Sequence, residues 1–381
     1  MSFLNKITIY QILFFALAIR LLAFTILPNI EFPDASTYVK AGSELFNLAQ
    51  INVDNVMPLH PIFVHLLETS FMIKLVNILL STASVWLVYQ LTLVIFNEKL
   101  YATLAALGTA VYPYFIFYSI TGLTESLYIF LLLLAFLALY KKQFVWASVV
   151  IVISILHRPT LDLLAPILIF VFSFYVHKQG FKTSFLNILK YIVIYVVLMS
   201  SWWLHQYNKY DQFVRLNLGD GIVWYSGNNP LNKSGGGVGG SSKGDDMDMS
   251  SFDHIKDPVL KNSALKQAAF EFIKNNPERF VELAGLKFIR FWRLWPYAPE
   301  YEKPFYIIAS LLSYGVVLLL SIIFVTKYIR ENFNSTLPIW VLFLYFTAVH
   351  MVLIGSIRYR LPLEPFLIIF SSYVIGKQIR K

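Results

Sequence analysis

The residues with chemistry to offer stand at a few polar points between long apolar runs. Ile30 to Lys40 reads IEFPDASTYVK and carries two carboxylates, Glu31 and Asp34, with Tyr38 one helical turn beyond Asp34. An aspartate can act as general base toward a hydroxyl, and a low local dielectric tunes its pKa for that task. Glu125, in TGLTESLYIF, opens another apolar run. The helix dipole also favours an acid in a first turn, so Glu125 has a structural reading beside the catalytic one. His60-Pro61 in MPLHPIF offers a metal ligand, a donor to phosphate or a plain loop residue. Cations stand at His157-Arg158-Pro159 and in SIRYRLPLEPF, where Arg358 and Arg360 flank Tyr359. Arginine suits phosphate because its planar fork meets two oxygens at once. In an extended turn, two arginines at alternate positions would point opposite ways. The glycines between Gly235 and Gly240 have no strand–turn–helix unit around them and form no nucleotide fingerprint.

The rest of the chain is the composition of a membrane protein. Of 381 residues 57% are hydrophobic and only 14% charged, and the mean hydropathy is +0.62, which excludes an ordinary soluble domain. Aromatic residues at 17% fit interfacial belts of Trp and Tyr. The net charge of +9 comes from lysines and arginines in short groups between apolar runs. That spacing orients membrane helices and does not make a nucleic-acid-binding face. Without cysteine there is no disulfide, thiolate nucleophile or Cys-based metal site. The first apolar segment has no small-residue cleavage site behind it and reads as a retained anchor.

The apolar runs predict an all-α polytopic membrane protein of about ten transmembrane helices. Seven fall within residues 1–204: Ile7–Leu27, Phe71–Phe96, Tyr101–Ile120, Leu123–Tyr140, Phe144–Leu156, Leu161–Val176 and Phe185–Leu204. Arg20, inside the first, is expected to snorkel or to meet an acid. An acidic loop, 28–70, follows the first span, with short surface helices expected at 41–49 and 62–67. Residues 205–303 form the one long polar stretch. It opens with an expected strand and turn at GIVWYSGNNP and continues into a Gly/Ser-rich loop over 233–251, expected to be mobile. Helical periodicity then runs over 264–295, with Asn276-Pro277 starting an interfacial helix, 277–295. Spans eight to ten fill 304–381, at Phe305–Val325, Leu337–Ile354 and Leu361–Ile375. The positive-inside rule puts both ends in the cytoplasm. Asp34, His60, Glu125, Arg158, the polar region, Arg358 and Arg360 then share the outer face. A transporter would instead hold its polar groups near the midplane, on broken helices.

Taken together, FPDASTYV, PLHPIF, TGLTESLYIFLLLLAFLALY, HRPTLDLLAP, GNNP, NPERFVELAGLKFIRFW and RYRLPLEPFLIIF resemble the polytopic GT-C glycosyltransferases. They are most similar to the bacterial branch related to protein O-mannosyltransferases and lipid A aminoarabinose transferases. That resemblance implies transfer of a sugar from a polyprenyl-phosphate donor, usually with inversion, to an acceptor outside the cytoplasm. The acceptor would be a glycan, a lipid or a protein, and the site would lie on the periplasmic side of the plasma (inner) membrane. It makes Asp34 the first-loop catalytic acid and Glu125 the second acidic residue. Arg358 and Arg360 would hold the donor phosphate, with Arg158 as a further candidate and Glu31, Tyr38 and His60 close by. Many relatives carry adjacent acids in the first loop, whereas Phe32 and Pro33 separate Glu31 from Asp34. A divalent metal is therefore left open, and no other cofactor and no nucleic acid is implied. The competing readings are a flippase or transporter of lipid-linked glycans, and an O-antigen-type polymerase or ligase using a diphosphate-linked donor.

Overall fold

The computed structural model describes residues 7–27, 33–45, 55–237, 247–297 and 301–380. Their secondary structure is helical. The amino half contains α1 (Ile9–Ile26), α2 (Pro33–Leu45), α3 (Leu59–Leu67), α4 (Ser70–Phe96), α5 (Lys99–Ala110), α6 (Pro113–Ser119), α7 (Glu125–Tyr140) and α8 (Phe144–His157). Then come α9 (Ala165–Val171), α10 (Phe181–Tyr210), α11 (Asp220–Gly227), α12 (Pro258–Asn275) and α13 (Pro277–Trp292). The chain ends with α14 (Pro304–Ser310), α15 (Val316–Val352), α16 (Ile357–Arg360) and α17 (Glu364–Ile379).

Four helical runs are long and apolar enough to cross a membrane: α1, α4, α10 and the continuous stretch Pro304–Val352. A fifth arises if α5 and α6, bent by 53° at Val111-Tyr112, are taken as one span. α7, α8 and Ala165–Val176 are shorter apolar helices. The expected spans eight and nine belong to one helical run. That run is not straight. Phe324 and Trp340 both stack on Phe370, with ring centroids at 4.5 and 4.9 Å. Sixteen residues of straight helix would hold them about 24 Å apart. The run therefore folds back on itself between them, near the polar stretch Lys327–Thr336 and Pro338.

α7 lies at the centre. It is apolar all round, its residues are buried on every face, and it packs against α4 and α8. α1 buries one stripe, Ile12, Ala16 and Arg20, one turn apart. Arg20 corrects the sequence reading, for it neither snorkels nor meets an acid. Its guanidinium donates to Ser81 Oγ (2.8 Å) and to the carbonyls of Ala16 (3.0 Å) and Ala110 (3.1 Å). The last of these is an open carbonyl at the α5–α6 break, which needs a donor because lipid offers none.

Two further expectations change in the outer parts. GIVWYSGNNP forms no strand but α11, despite its β-branched and aromatic residues. Tertiary partners override propensity there: Asn262 of α12 accepts from Gly221 N (2.7 Å) and donates to Asp220 Oδ1 (2.8 Å), and Trp224 packs on Phe270. The helix expected at 41–49 begins earlier, at Pro33, and residues 46–49 lie outside the described residues. α13 starts where Asn276-Pro277 predicts, whereas α12 begins at Pro258, before the expected 264, because Asp257 caps the amides of Val259 and Leu260. α13 turns Leu283, Lys287, Arg290 and Phe291 inward.

Candidate active site

Four elements far apart in sequence deliver the site. α2 carries Asp34 in its first turn and Tyr38 on its second. α7 begins with Glu125, Arg158 follows the end of α8, and α16 carries Arg358. α2 is held against α3 by close approach at Gly42, where a Cβ would sit 2.6 Å from Pro61 O.

Arg358 joins the acids. Its Nε lies 2.5 Å from Glu125 Oε1, and its Nη1 donates to Asp34 Oδ2. Arg158 Nη1 reaches the same Glu125 Oε1 at 3.3 Å. Glu125 is completely buried, while the Asp34 side chain is 51% exposed. One acid is therefore sealed beneath two guanidinium groups, and the other faces outward. The second oxygen of Glu125 has no hydrogen-bond partner among the described residues. Arg158 lies over the Tyr128 ring at 5.2 Å and the Tyr359 ring at 5.7 Å, and Tyr359 stacks on His350 at 4.6 Å.

Around this centre sit buried aromatic groups. His60 packs edge-on to Tyr38 (4.5 Å) and to His157 (5.0 Å), and among the described residues neither of its ring nitrogens has a hydrogen-bond partner. Burial, and then the nearby His157, Arg158 and Arg358, hold the His60 imidazole well below its usual pKa, so it stays neutral. Burial also raises the Tyr38 phenol above its usual range, against the pull of Arg358, so Tyr38 remains a hydroxyl.

Arg360 is turned away from this group. Its Nε lies 2.8 Å from Glu364 Oε1, its Nη1 donates to the carbonyls of Phe291 (3.1 Å) and Arg293 (2.6 Å), and Tyr314 covers it at 3.5 Å. The segment is also a helical turn, not an extended one, with Ser356 capping Arg358 N at 3.3 Å. Positions two apart on a helix still face nearly opposite ways. Glu31 lies outside the described residues.

Sequence reasoning passed over Tyr128, and named His157 as a cation and Tyr359 as a neighbour of the arginines without giving either a structural part. The ring nitrogen Nε2 of His157 lies 2.9 Å from Thr124 O and ties the end of α8 to the start of α7. The available signal was spacing: Tyr128 stands one turn after Glu125 on the same helix face. Asp162, beyond Arg158 in HRPTLDLLAP, was also unassigned. It accepts from Tyr195 Oη (2.6 Å) and from Arg215.

Among the described residues no three of His, Cys, Asp and Glu come together as a metal would require. Asp34 and Glu125 instead converge on a guanidinium.

No family model and no curated protein sequence matches the chain. Solved structures do. The chain aligns over 99% of its length with the archaeal oligosaccharyltransferase AglB from Archaeoglobus fulgidus in complex with an inhibitory peptide and a dolichol-phosphate, at 14% identity and TM-score 0.59. The fold is that of the GT-C glycosyltransferases. The apo Archaeoglobus fulgidus enzyme matches over the whole chain at 13% identity and TM-score 0.57. The same enzyme tethered to an acceptor peptide containing the NVT sequon matches over the whole chain at 11% and 0.58. The chain spans about half the length of these GT-C neighbours, 51%, 51% and 50% respectively. The GT-C fold is the one that the quoted motifs resemble, and it belongs to an integral membrane protein.

Proposed function

We propose that this chain transfers a sugar from a polyprenyl-phosphate donor to an acceptor hydroxyl or amide at the outer face of the plasma (inner) membrane, with inversion. The observation that supports this reading is the convergence of Asp34, Glu125, Arg158 and Arg358 at one rim, with only Asp34 broadly open to an acceptor. The donor phosphate binds Arg358, which offers a guanidinium fork beside the acids. Arg358 then releases Asp34, and Asp34 takes the proton from the acceptor as that atom attacks the anomeric carbon. The bond from that carbon to the phosphate oxygen breaks on the opposite side, the leaving polyprenyl phosphate keeps the electron pair, and the configuration inverts. Buried Glu125 orients both arginines, and Arg158 adds charge at the leaving group. Arg360 has no part in this step.

The membrane reading goes with it. Ten crossings result if Pro304–Val352 counts as two, α5 and α6 as one, and α7, α8, Ala165–Val176 and α17 as short spans. Residues 1–204 and 304–381 then make the membrane domain, and 205–303 the periplasmic cover. The neighbours favour one alternative donor, a lipid-linked oligosaccharide, with a peptide as acceptor, because the Archaeoglobus fulgidus structures hold dolichol-phosphate and acceptor peptide. A glycan or lipid acceptor also fits the exposed Asp34. Transport is not favoured: the break between α5 and α6 has an open carbonyl, but Arg20 fills it. Mass analysis of products made by purified protein from a panel of polyprenyl-phosphate and lipid-linked oligosaccharide donors tests the reading. Glycosylated acceptor is expected, and movement of lipid without any product sinks it.

A further inference from the structure

Arg358 hangs from a short strap, Val352–Ser356, which links the end of α15 to α16. The outer region grips this strap at nearly every residue. Asn228 Nδ2 donates to Val352 O at 3.0 Å, and Lys287 Nζ donates to the same carbonyl at 3.0 Å. Lys287 Nζ also donates to Asn228 Oδ1 at 2.9 Å, closing a three-membered clasp. Further along, Gly355 N donates to Gly235 O (3.2 Å) and Arg290 Nε donates to Gly355 O (3.3 Å), while from α15 itself His350 Nδ1 lies 3.1 Å from Ile354 O.

The fit is close enough to demand glycine. A Cβ on Gly227 would lie 1.8 Å from Leu353 O, and one on Gly355 would lie 2.4 Å from Lys287 O. Gly235, at φ +77°, brings its backbone against Lys287. Thus Ser226-Gly227-Asn228, part of the segment ending GNNP, and the middle of α13 form a cradle moulded to the strap.

Lys287 is the odd member of that cradle. It is fully buried, its two hydrogen-bond partners are an amide oxygen and a carbonyl, and no carboxylate pairs with it among the described residues. Burial pushes its ammonium down to about 7. Such a lysine weakens the fold: its folded pKa lies below its unfolded one, so stability rises with pH from about 7 toward the ordinary lysine range. A methionine of similar length would fill the space without that penalty.

We infer that Lys287, with Asn228, is a positioning residue that fixes the strap and thereby aims Arg358 at the donor phosphate. The inference rests on the proposed donor reading. The outer region then does more than cover the site, because it sets the direction of the phosphate-binding cation.

The test uses full-length protein in detergent with decaprenyl phosphate as probe, comparing parent, Lys287→Met, Asn228→Ser and Arg358→Ala. Lys287→Met is expected to melt no lower than the parent, yet to bind the probe about ten- to a hundred-fold more weakly, as a small misplacement does. Amide hydrogen exchange over 353–358 should quicken in Lys287→Met and in Asn228→Ser. Parent-like affinity in a folded Lys287→Met overturns the inference. So does loss of folding, because a merely structural lysine would lower stability and affinity together. A parent that binds no better than Arg358→Ala sinks the donor reading and the aiming role with it. The exchange result then still decides whether the clasp anchors the strap.

Discussion

Arg358 and Arg360 stand two residues apart on one turn, each paired with a buried glutamate, and the two pairs do opposite things. Arg360 and Glu364 are both fully buried, the guanidinium is covered by a tyrosine, and its Nη1 donates to two backbone carbonyls, while Arg360 Nη2 and Glu364 Oε2 have no hydrogen-bond partner among the described residues. Arg358 meets an equally buried glutamate, but its other arm goes to a half-exposed aspartate. The first pair is closed on all sides and can only hold the end of α13 to α17. The second has one partner that an incoming anion can displace. Burial alone therefore does not mark a site; an exchangeable partner does. A buried pair is no guarantee of net stability, but removing one member leaves an uncompensated charge.

The largest expected effect is on the open side. Asp34→Asn keeps the size and polarity of the side chain but removes the proposed base, so transfer should fall by about two to four decades while the melting temperature stays near the parent's. Turnover within threefold of the parent would remove Asp34 from the chemistry. Next comes the closed side, where Arg360→Met strands Glu364 in a buried position and should cost about 3–5 kcal/mol of stability. Denaturant or thermal unfolding in detergent reads this directly, and a variant as stable as the parent breaks the contrast. The double replacement Arg360→Met with Glu364→Leu should recover most of the loss, because two apolar groups leave no orphaned charge.

Arg358→Ala should do the reverse. Its donor affinity falls by about one to two decades, the worth of roughly 1.5–3 kcal/mol for a charge-assisted bond, whereas stability changes less than in Arg360→Met. Lysine at 358 restores only part of the affinity, since it cannot fork. If titration of the purified variants finds equal donor affinity in Arg358→Ala and the parent, Arg158 becomes the phosphate ligand. The two arginines would then differ in burial only.

Much of the architecture could be read from sequence because lipid is a strict solvent. Backbone groups must be satisfied within helices there, so apolar runs such as Ser70–Phe96 announce themselves. Pro277 announced a helix start in the same way. What the sequence hid was pairing across distance. Arg20 has nothing nearby in sequence to show that its partner is a carbonyl at Ala110, ninety residues on. The helix at Asp220–Gly227 depends on Asn262, so local β-propensity misled. Asp34, Glu125 and Arg358 could be nominated from their places at span ends. Arg358 and Arg360 could not be told apart, because residue type and neighbourhood are the same and only the helical turn separates their directions.

The smallest expected effect concerns His60, beside the open pair. Its folded pKa lies well below the ordinary histidine value because burial disfavours the imidazolium. In the unfolded chain the ring takes a proton near pH 6.5, whereas in the fold it does not. The contribution of His60 to stability is therefore complete above about pH 6.5 and is lost as pH falls below it, at up to about 1.4 kcal/mol per pH unit. His60→Phe keeps a ring against Tyr38, Phe63 and His157 but has nothing to protonate. The parent should lose more melting temperature between pH 7.5 and 5.5 than His60→Phe does, with the difference closing at pH 7.5. Equal slopes in the two proteins would mean that His60 takes its proton as readily in the fold as in the unfolded chain, and so is charged there below about pH 6.5. An imidazolium there would give the rim a third cation, and the asymmetry between the open and closed pairs would then rest on charge as well as on an exchangeable partner.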